Sequence, residues 1–321
     1  MVDAFNGWAH IPTAAPTLAT LLAPTPQPVP WLPAIAIVLA GLYLVGIVRL
    51  RVQRRPWPAW RAVCFLLGCA LVTVVMGTAI EGYGFELLSV FMFQQLTLMM
   101  AAPILLVLGS PGTLLLRASP HHGPGRALLI TALAGLRSKV GRFLLHPGLM
   151  IPLFLLTFYG LYLSGVANTL LQTWFGHQSL EALFLVAGLL FTIPVLSSDP
   201  LPARQSHLGR LFDVFAEMPL HAFFGVIVMM ASVPLIPAFA SPPAGWGIDP
   251  LEDQKIAGAL AWSYGEGPTV VILLVLMSAW RRSEERSNRV NDRVADEQLG
   301  DYNAYLNRLN QHPRRSEIER P

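Results

Sequence analysis

Long uncharged apolar runs, separated by shorter polar connections, dominate the pattern of hydrophobic and polar positions along the chain. Seven such runs lie at roughly 31–48, 62–80, 87–108, 148–166, 179–197, 214–236 and 257–280. A run of about 20 apolar residues forms a helix long enough to cross the roughly 30 Å hydrocarbon core of a bilayer. The pattern therefore predicts an all-α fold, a polytopic membrane protein built as a bundle of seven transmembrane helices.

The parts outside the apolar runs define the domain organisation. Residues 1–30 are rich in proline and predict an exposed extracytoplasmic segment, residues 31–280 the seven-helix domain, and residues 281–321 a charged cytoplasmic tail. In the tail, Gly300 is expected to interrupt the helical pattern, and Tyr302, Tyr305, Leu306 and Leu309 suit a short amphipathic helix. The tail is either solvated or docks a partner.

Basic residues are strongly segregated between the connections. All of the 22 lysines and arginines except Lys255 fall in the alternate connections that share a side with the tail. Because cytoplasmic loops retain positive charge, this distribution predicts an outside N-terminus and a cytoplasmic C-terminus. The longest inner connection, 109–147, contains the apolar and basic stretch 127–145, which suits a helix lying in the membrane interface.

Composition supports a membrane protein and excludes several other classes. The chain is 54% hydrophobic and only 13% charged, whereas a soluble domain carries about 25% charge. The net charge of +3 could suit nucleic acid, but the arginines flank the apolar runs, so the lipid membrane is the expected partner. Cys64 and Cys69 lie on different faces of one run, which predicts free buried thiols. No phosphate-binding glycine loop or catalytic triad motif occurs, so we expect no enzyme.

The third apolar run carries polar and sulfur-containing side chains that are costly in lipid. Met92, Gln95 and Met99 recur at i, i+3 and i+7 and therefore share one helix face. Such groups are expected to face protein, a cavity or a metal ion. The turn signal Gly109-Ser110-Pro111 predicts the end of this helix.

A set of possible metal ligands is expected near the outer surface. His177 and Glu181 lie one turn apart at the start of the fifth run, and Asp253 stands at the outer start of the seventh. With Met92 and Gln95 they predict a convergent site. Imidazole, thioether and carboxylate ligands suit copper. The alternative is a set of hydrogen bonds between helices.

Ionisable residues also recur within the last two runs. Asp213, Glu217 and His221 lie at i, i+4 and i+8 and form one stripe rising from the cytoplasmic side. Such a stripe can relay protons, bind a metal or pair with Arg210. Glu266 stands beside a glycine and proline break, as a partner of the freed backbone or as a site residue.

Several motifs, present in the same order, resemble the CtaG-type family of bacterial cytochrome c oxidase assembly proteins from about residue 57 to 289. The motifs are Leu98-Met99-Met100-Ala101-Ala102-Pro103, His177 with Glu181-Ala182-Leu183-Phe184, Pro219-Leu220-His221-Ala222-Phe223, and Asp253-Gln254. The tail sequence Asn303-Ala304-Tyr305-Leu306 looks like actinobacterial members. The resemblance implies a cytoplasmic-membrane protein that supplies copper to a haem-copper oxidase, with oxidase subunits as partners.

The chain departs from the family pattern at four histidine positions. Phe91 and Gln95 replace two histidines of the central helix, and Tyr162 and Glu181 replace two others. The remaining candidates for receiving Cu(I) are His177, Asp253 and Met92, with Glu181 and His221 as further possible ligands. We therefore expect an assembly factor that delivers copper or stabilises an oxidase intermediate. The alternatives are a transporter of copper or another small solute, and a scaffold that binds no metal.

Overall fold

The computed structural model describes residues 7–119, 130–131, 134–135, 138–197, 199 and 206–311, and helices account for most of them. No strand occurs within these ranges. The helices are α1 Leu18–Leu21, α2 Trp31–Val52, α3 Ala59–Gly77, α4 Ala79–Gly84, α5 Leu88–Leu96, α6 Ala102–Leu108, α7 Pro111–Ala118, α8 Lys139–Leu144, α9 Met150–Leu155, α10 Leu161–Leu163, α11 Val166–Leu171, α12 Trp174–Leu196, α13 His207–Met230, α14 Pro250–Ser263 and α15 Glu266–Gln311. The π turn Thr97–Ala101 joins α5 to α6, and the π turn Leu156–Gly160 joins α9 to α10.

Six helical stretches of the described chain are long and apolar enough to cross a membrane. They are Trp31–Val52, Ala59–Gly77, Leu88–Ala118, Trp174–Leu196, Leu208–Met230 and Pro250–Leu309. The prediction of an all-α polytopic membrane protein is confirmed. The predicted span 148–166 falls on the shorter apolar helix Met150–Leu163, so the count of seven spans and their orientation stay predictions.

The helical stretch formed by α5, the π turn and α6, called the central helix below, lies at the middle of the bundle. Its most apolar window is 72% buried, against 28% to 50% for the other five candidate spans. It contacts α3, α12 and α14, which surround it. Glutamine and methionine side chains on this helix therefore face protein, as the cost of polar groups in lipid predicts.

The central helix ends where the turn signal predicts. Ser110 has a left-handed backbone conformation with φ of 51°, and Pro111 begins α7. The Asp199 carboxylate accepts hydrogen bonds from the backbone N–H groups of Gly112 at 3.0 Å and Thr113 at 2.8 Å, capping α7. Of the predicted interfacial helix at 127–145, the structure describes α8, and most of the remainder lies outside the described residues.

The N-terminal segment folds back onto the bundle, while most of its described residues stay exposed. The Tyr83 hydroxyl donates to the carbonyl of Ala14 at 2.9 Å, and the Trp246 indole donates to the carbonyl of Thr13 at 3.2 Å. The Ala79 N–H donates to the carbonyl of Ala23 at 3.0 Å. These bonds hold residues 13–23 against α4 and Trp246.

The chain divides into two compact units, and the second begins at Leu274. Within this second unit, α15 stays helical to Gln311. The predicted interruption at Gly300 is therefore wrong. A glycine costs a helix only about 1 kcal/mol relative to alanine. Helix-forming residues on both sides of Gly300 offset this cost.

Candidate metal centre

Three buried side chains meet where the short helix α4 contacts α12. One potential ligand atom from each of Glu81, His177 and Glu181 lies within 4.8 Å of the other two. The three residues are 2%, 1% and 0% exposed. Within the described ranges, this is the one group of three or more histidine, cysteine or acidic side chains with such spacing. It is called the Glu81–His177–Glu181 group below.

The start of α12 places two of these residues. The Thr173 side chain accepts from the Gly176 N–H at 3.0 Å and caps the helix, so His177 lies in its first turn. Gly176 permits the tight entry, because a Cβ there would lie 2.0 Å from the carbonyl oxygen of Leu170. Glu181 follows one turn later, with its Oε1 2.9 Å from His177 Nε2. The predicted pairing of His177 and Glu181 is found.

Two glutamine side chains hold Glu81 in position. Gln94 Nε2 donates to Glu81 Oε2 at 2.6 Å, and Gln178 Nε2 donates to Glu81 Oε1 at 2.7 Å. Gln178 in turn accepts from the Trp31 indole N–H. Gly84 leaves room for Gln94, since a Cβ at residue 84 would lie 1.9 Å from Gln94 Oε1. The central helix, α2 and α12 thus all contribute to fixing one carboxyl group.

The other contacts within the group are close but not all well aligned. His177 Nε2 and Glu181 Oε1 lie 2.9 Å apart without the alignment of a hydrogen bond, and the Glu81 and Glu181 carboxyl groups lie close enough to share one. The ring of Phe85 stacks on His177 with centroids 4.0 Å apart and closes the site from one side. Buried polar atoms whose hydrogen bonds are incomplete are costly, and a ligand, a proton or a water molecule at this place would complete them.

Burial and charge both favour a cation at this point. Burial raises the pKa of the Glu81 carboxyl well above its usual range, and the nearby Glu181 carboxylate raises it further. Two carboxylates can share this apolar surrounding only when protons or a positive ion balance their charge. Two carboxylates and one imidazole are a donor set that accepts a divalent transition metal. The residues present therefore fit a metal ion.

Met92 and Gln95 contact Tyr162 and are not part of this group. The Tyr162 hydroxyl donates to Gln95 Oε1 and lies 3.8 Å from Met92 Sδ. Gln95 Nε2 donates to the carbonyl of Thr157 at 3.5 Å. Tyr162, at a position where the resemblance implies histidine, thus pairs with a glutamine at another such position.

Asp253 is also outside the group, although the sequence predicts it as a ligand with His177. Its carboxylate accepts from the Ser89 N–H at 3.1 Å and from the Ser89 hydroxyl. Ser89 lies in the first turn of α5, so Asp253 satisfies the N-terminus of the central helix. The predicted convergence of Asp253 and His177 is corrected accordingly, because Asp253 already has two donors from another helix.

The three residues of the stripe on α13 are buried, whereas Glu266 is exposed. Asp213, Glu217 and His221 are 8%, 7% and 5% exposed, and His221 Nε2 has no hydrogen-bond partner. Glu266 is exposed in the first turn of α15, where a carboxylate stabilises the positive end of the helix. Glu266 is therefore not part of the buried stripe on α13.

Sequence reasoning missed Glu81 because it lies in a short connection that the hydropathy pattern assigns to the outer surface. The structure turns residues 79–84 into a six-residue helix that is buried throughout. One signal was available: Glu81 and Glu86 are the only charged residues between Arg61 and Arg117. An acidic residue in so apolar a stretch is costly unless it is paired or functional.

Comparison with known proteins gives one matching family and three relatives. The family described as cytochrome c oxidase caa3 assembly factor matches residues 41–283. Uncharacterized proteins of Mycobacterium bovis and Mycobacterium tuberculosis are each 36% identical over 286 residues, and one of Mycobacterium leprae is 37% identical. Each alignment covers 86% of this chain but 43% of the relative, so the chain spans less than half of their length. No solved structure matches.

Proposed function

The chain belongs to the family of cytochrome c oxidase caa3 assembly factors, and from this we propose that it acts in oxidase assembly by holding copper for delivery. The ion is bound by Glu81, His177 and Glu181. The observation that carries the proposal is the meeting of these three buried side chains, with one potential ligand atom from each within 4.8 Å of the other two. The receiving partners are oxidase subunits in the same membrane.

The donor atoms favour divalent copper over Cu(I). The sequence predicts a softer site with Met92, but the group offers carboxylate oxygens and an imidazole nitrogen. Such oxygen and nitrogen ligands suit Cu(II), whereas thioethers select Cu(I). Two carboxylates also neutralise the two positive charges of the ion, which lowers the cost of holding it in an apolar surrounding. Gln94 and Gln178 keep Glu81 directed toward the ion.

Metal binding is tested by titrating the purified full-length protein in detergent with Cu(II) against a competing chelator. We expect about one ion per chain, and a loss of at least tenfold in affinity for Glu81→Gln and for His177→Ala. The matched control is Glu86→Gln, because Glu86 is also buried, at 3% exposure, but lies outside the group. Equal affinities for Glu81→Gln, Glu86→Gln and the unchanged protein would contradict the proposed site.

The assembly role is tested separately in cells. A strain lacking the gene is expected to lose oxidase activity and oxidase-bound copper in low-copper medium. The unchanged gene restores both, whereas the Glu81→Gln variant at equal abundance does not. Full restoration by Glu81→Gln would exclude copper delivery through this group and favour the scaffold alternative. Normal activity in the deletion strain itself would contradict any role in oxidase assembly.

A further inference from the structure

A small cavity lies beside the central helix, next to α12 and α13, and two methionines and a carboxylate border it. Its volume is about 10 Å³, and its polar or sulfur-bearing lining residues are Met99, Met100, Thr192 and Glu217. A space of this size holds about one water molecule or one ion. Every other residue bordering it is apolar.

Two consecutive methionines, Met99 and Met100, border the same cavity, and both lie in the π turn Thr97–Ala101. Close packing fixes this turn: a Cβ at Gly188 would lie 2.2 Å from the Met99 carbonyl oxygen. π turns of this kind occur frequently at functional sites.

The imidazole of His221, which does not itself border the cavity, lies near Met100. His221 follows Glu217 by four residues on α13, so the two side chains share a helix face. The His221 ring meets Phe158 edge-on at 5.3 Å. A Cβ at Gly265 would lie 2.4 Å from His221 Nδ1 and 3.3 Å from Met100 Cε, so both side chains contact this glycine. His221 is 5% exposed, and its Nε2 has no hydrogen-bond partner.

We propose that Met99, Met100, Glu217 and His221 form a second metal site that binds Cu(I). Thioethers select soft ions, and imidazole is a common copper ligand. The single carboxylate balances a single positive charge, unlike the two carboxylates of the Glu81–His177–Glu181 group. The unpaired His221 nitrogen supplies a donor that would otherwise remain buried without a partner. This inference goes beyond the proposed function, because it concerns other residues and another oxidation state.

The test is an anaerobic Cu(I) titration of the full-length protein in detergent against a chromophoric Cu(I) chelator. We expect one tightly bound ion and at least a tenfold loss of affinity in the double variant Met99→Leu with Met100→Leu. Leucine preserves size and apolarity, so folding is expected to survive. The matched control, Met150→Leu, removes another buried methionine, at 4% exposure, that does not border the cavity. Its Cu(I) affinity is expected to remain unchanged.

His221→Gln provides a second variant should the double variant misfold, and X-ray absorption of bound Cu(I) reports whether sulfur is a ligand. An unchanged Cu(I) affinity in a folded double variant, or a Cu(I) spectrum without sulfur, would overturn the second site.

The variant Glu81→Gln distinguishes the two proposed sites. If Glu81→Gln weakens Cu(II) binding but not Cu(I) binding, the two ions bind at separate sites. If Glu81→Gln abolishes Cu(I) binding as well, the second site is excluded. If Glu81→Gln leaves Cu(II) binding unchanged while the double variant loses Cu(I), the Glu81 site fails and this inference stands.

Discussion

The geometry of Glu81 depends on two amide donors, and one glycine makes room for the first of them. The Gln94 bond to Glu81 is 2.6 Å long, and Gly84 lies directly beside Gln94. Such a hydrogen bond contributes about 0.5–1.5 kcal/mol when the carboxyl group is neutral and about 1.5–3 kcal/mol when it is charged. The position of the candidate ligand is therefore set by residues that would not themselves bind metal.

Replacement of Gly84 by alanine tests this dependence. The added Cβ would lie 1.9 Å from Gln94 Oε1, so Gln94 has to move away from Glu81. We expect a loss of about 1–3 kcal/mol in stability and weaker Cu(II) binding. Thermal unfolding in detergent and metal titration measure the two effects. Gly41→Ala is the control, since a Cβ there meets nothing within 4 Å and alanine favours the helix. Equal behaviour of the two variants would contradict the role of Gly84.

The role of a single residue could be predicted from the sequence only where it depends on neighbours a few positions away in the same helix. The pairing of His177 with Glu181 could be predicted, because four residues bring side chains together on any helix. Glu81 could not be placed, since a six-residue helix has too few positions to show a period. The prediction for Asp253 was wrong because the sequence around an acidic residue at the start of a helix does not show what its carboxylate binds. Here the carboxylate accepts hydrogen bonds from the N-terminus of another helix.

At the scale of elements, the central helix owes its position to a close backbone approach at Gly188. A Cβ at this residue would lie 2.2 Å from the carbonyl oxygen of Met99 and 2.7 Å from its carbonyl carbon. Backbone atoms cannot swing aside as side chains do, so α12 and the π turn would have to separate. The spacing of these helices determines the cavity at Met99 and the position of α12, which carries His177.

The substitution Gly188→Ala is therefore expected to destabilise the protein strongly. We expect at least 1–3 kcal/mol of destabilisation from overpacking and a large loss of monodisperse protein. Size-exclusion chromatography and thermal unfolding in detergent measure this loss. Gly267→Ala, where a Cβ meets nothing within 4 Å, is expected to behave like the unchanged protein. A Gly188→Ala variant with unaltered thermal stability would show that the helices can separate at little cost.

The cap on α7 gives a second test at this scale. Asp199 accepts hydrogen bonds from the N–H groups of Gly112 and Thr113 and from the Thr113 hydroxyl. Asp199→Ala removes these acceptors, and we expect a loss of about 0.5–2 kcal/mol. Asp199→Asn keeps one acceptor oxygen and is expected to lose less. Thermal unfolding of both variants checks the order, and an alanine variant as stable as the asparagine variant would contradict the cap.

Elements were predictable where hydropathy alone defines them. Six predicted spans correspond to long apolar helical stretches because about 20 uncharged residues admit little else in a membrane. The π turns could not be predicted, since the hydropathy pattern of a π turn does not differ visibly from that of an α-helix; the close approach of Gly188 to Met99 involves residues distant in sequence. The 46-residue length of α15 was also missed, because Gly300 suggested a break that helix-forming neighbours override.

At the scale of the whole molecule, membrane orientation depends on whether the stretch Met150–Leu163 crosses the bilayer. Six stretches of the described chain have the length and apolarity of spans, and this one is shorter. An odd number of spans places the two ends of the chain on opposite sides, whereas an even number places them on the same side. The segregation of all basic residues except Lys255 favours the odd number.

Cysteine labelling in intact cells decides between these counts. In a Cys64→Ser and Cys69→Ser background, Thr25→Cys and Ser287→Cys each supply one exposed thiol. With seven spans, a membrane-impermeant maleimide labels residue 25 in intact cells and residue 287 only after permeabilisation. With six spans, residues 25 and 287 lie on the same side of the membrane, so the maleimide labels both in intact cells or both only after permeabilisation. Arg54→Cys is the inner control, because it lies among the arginines after α2 and is expected to label only after permeabilisation. Labelling of residues 25 and 287 together would therefore place Met150–Leu163 within the bundle as a helix that does not cross.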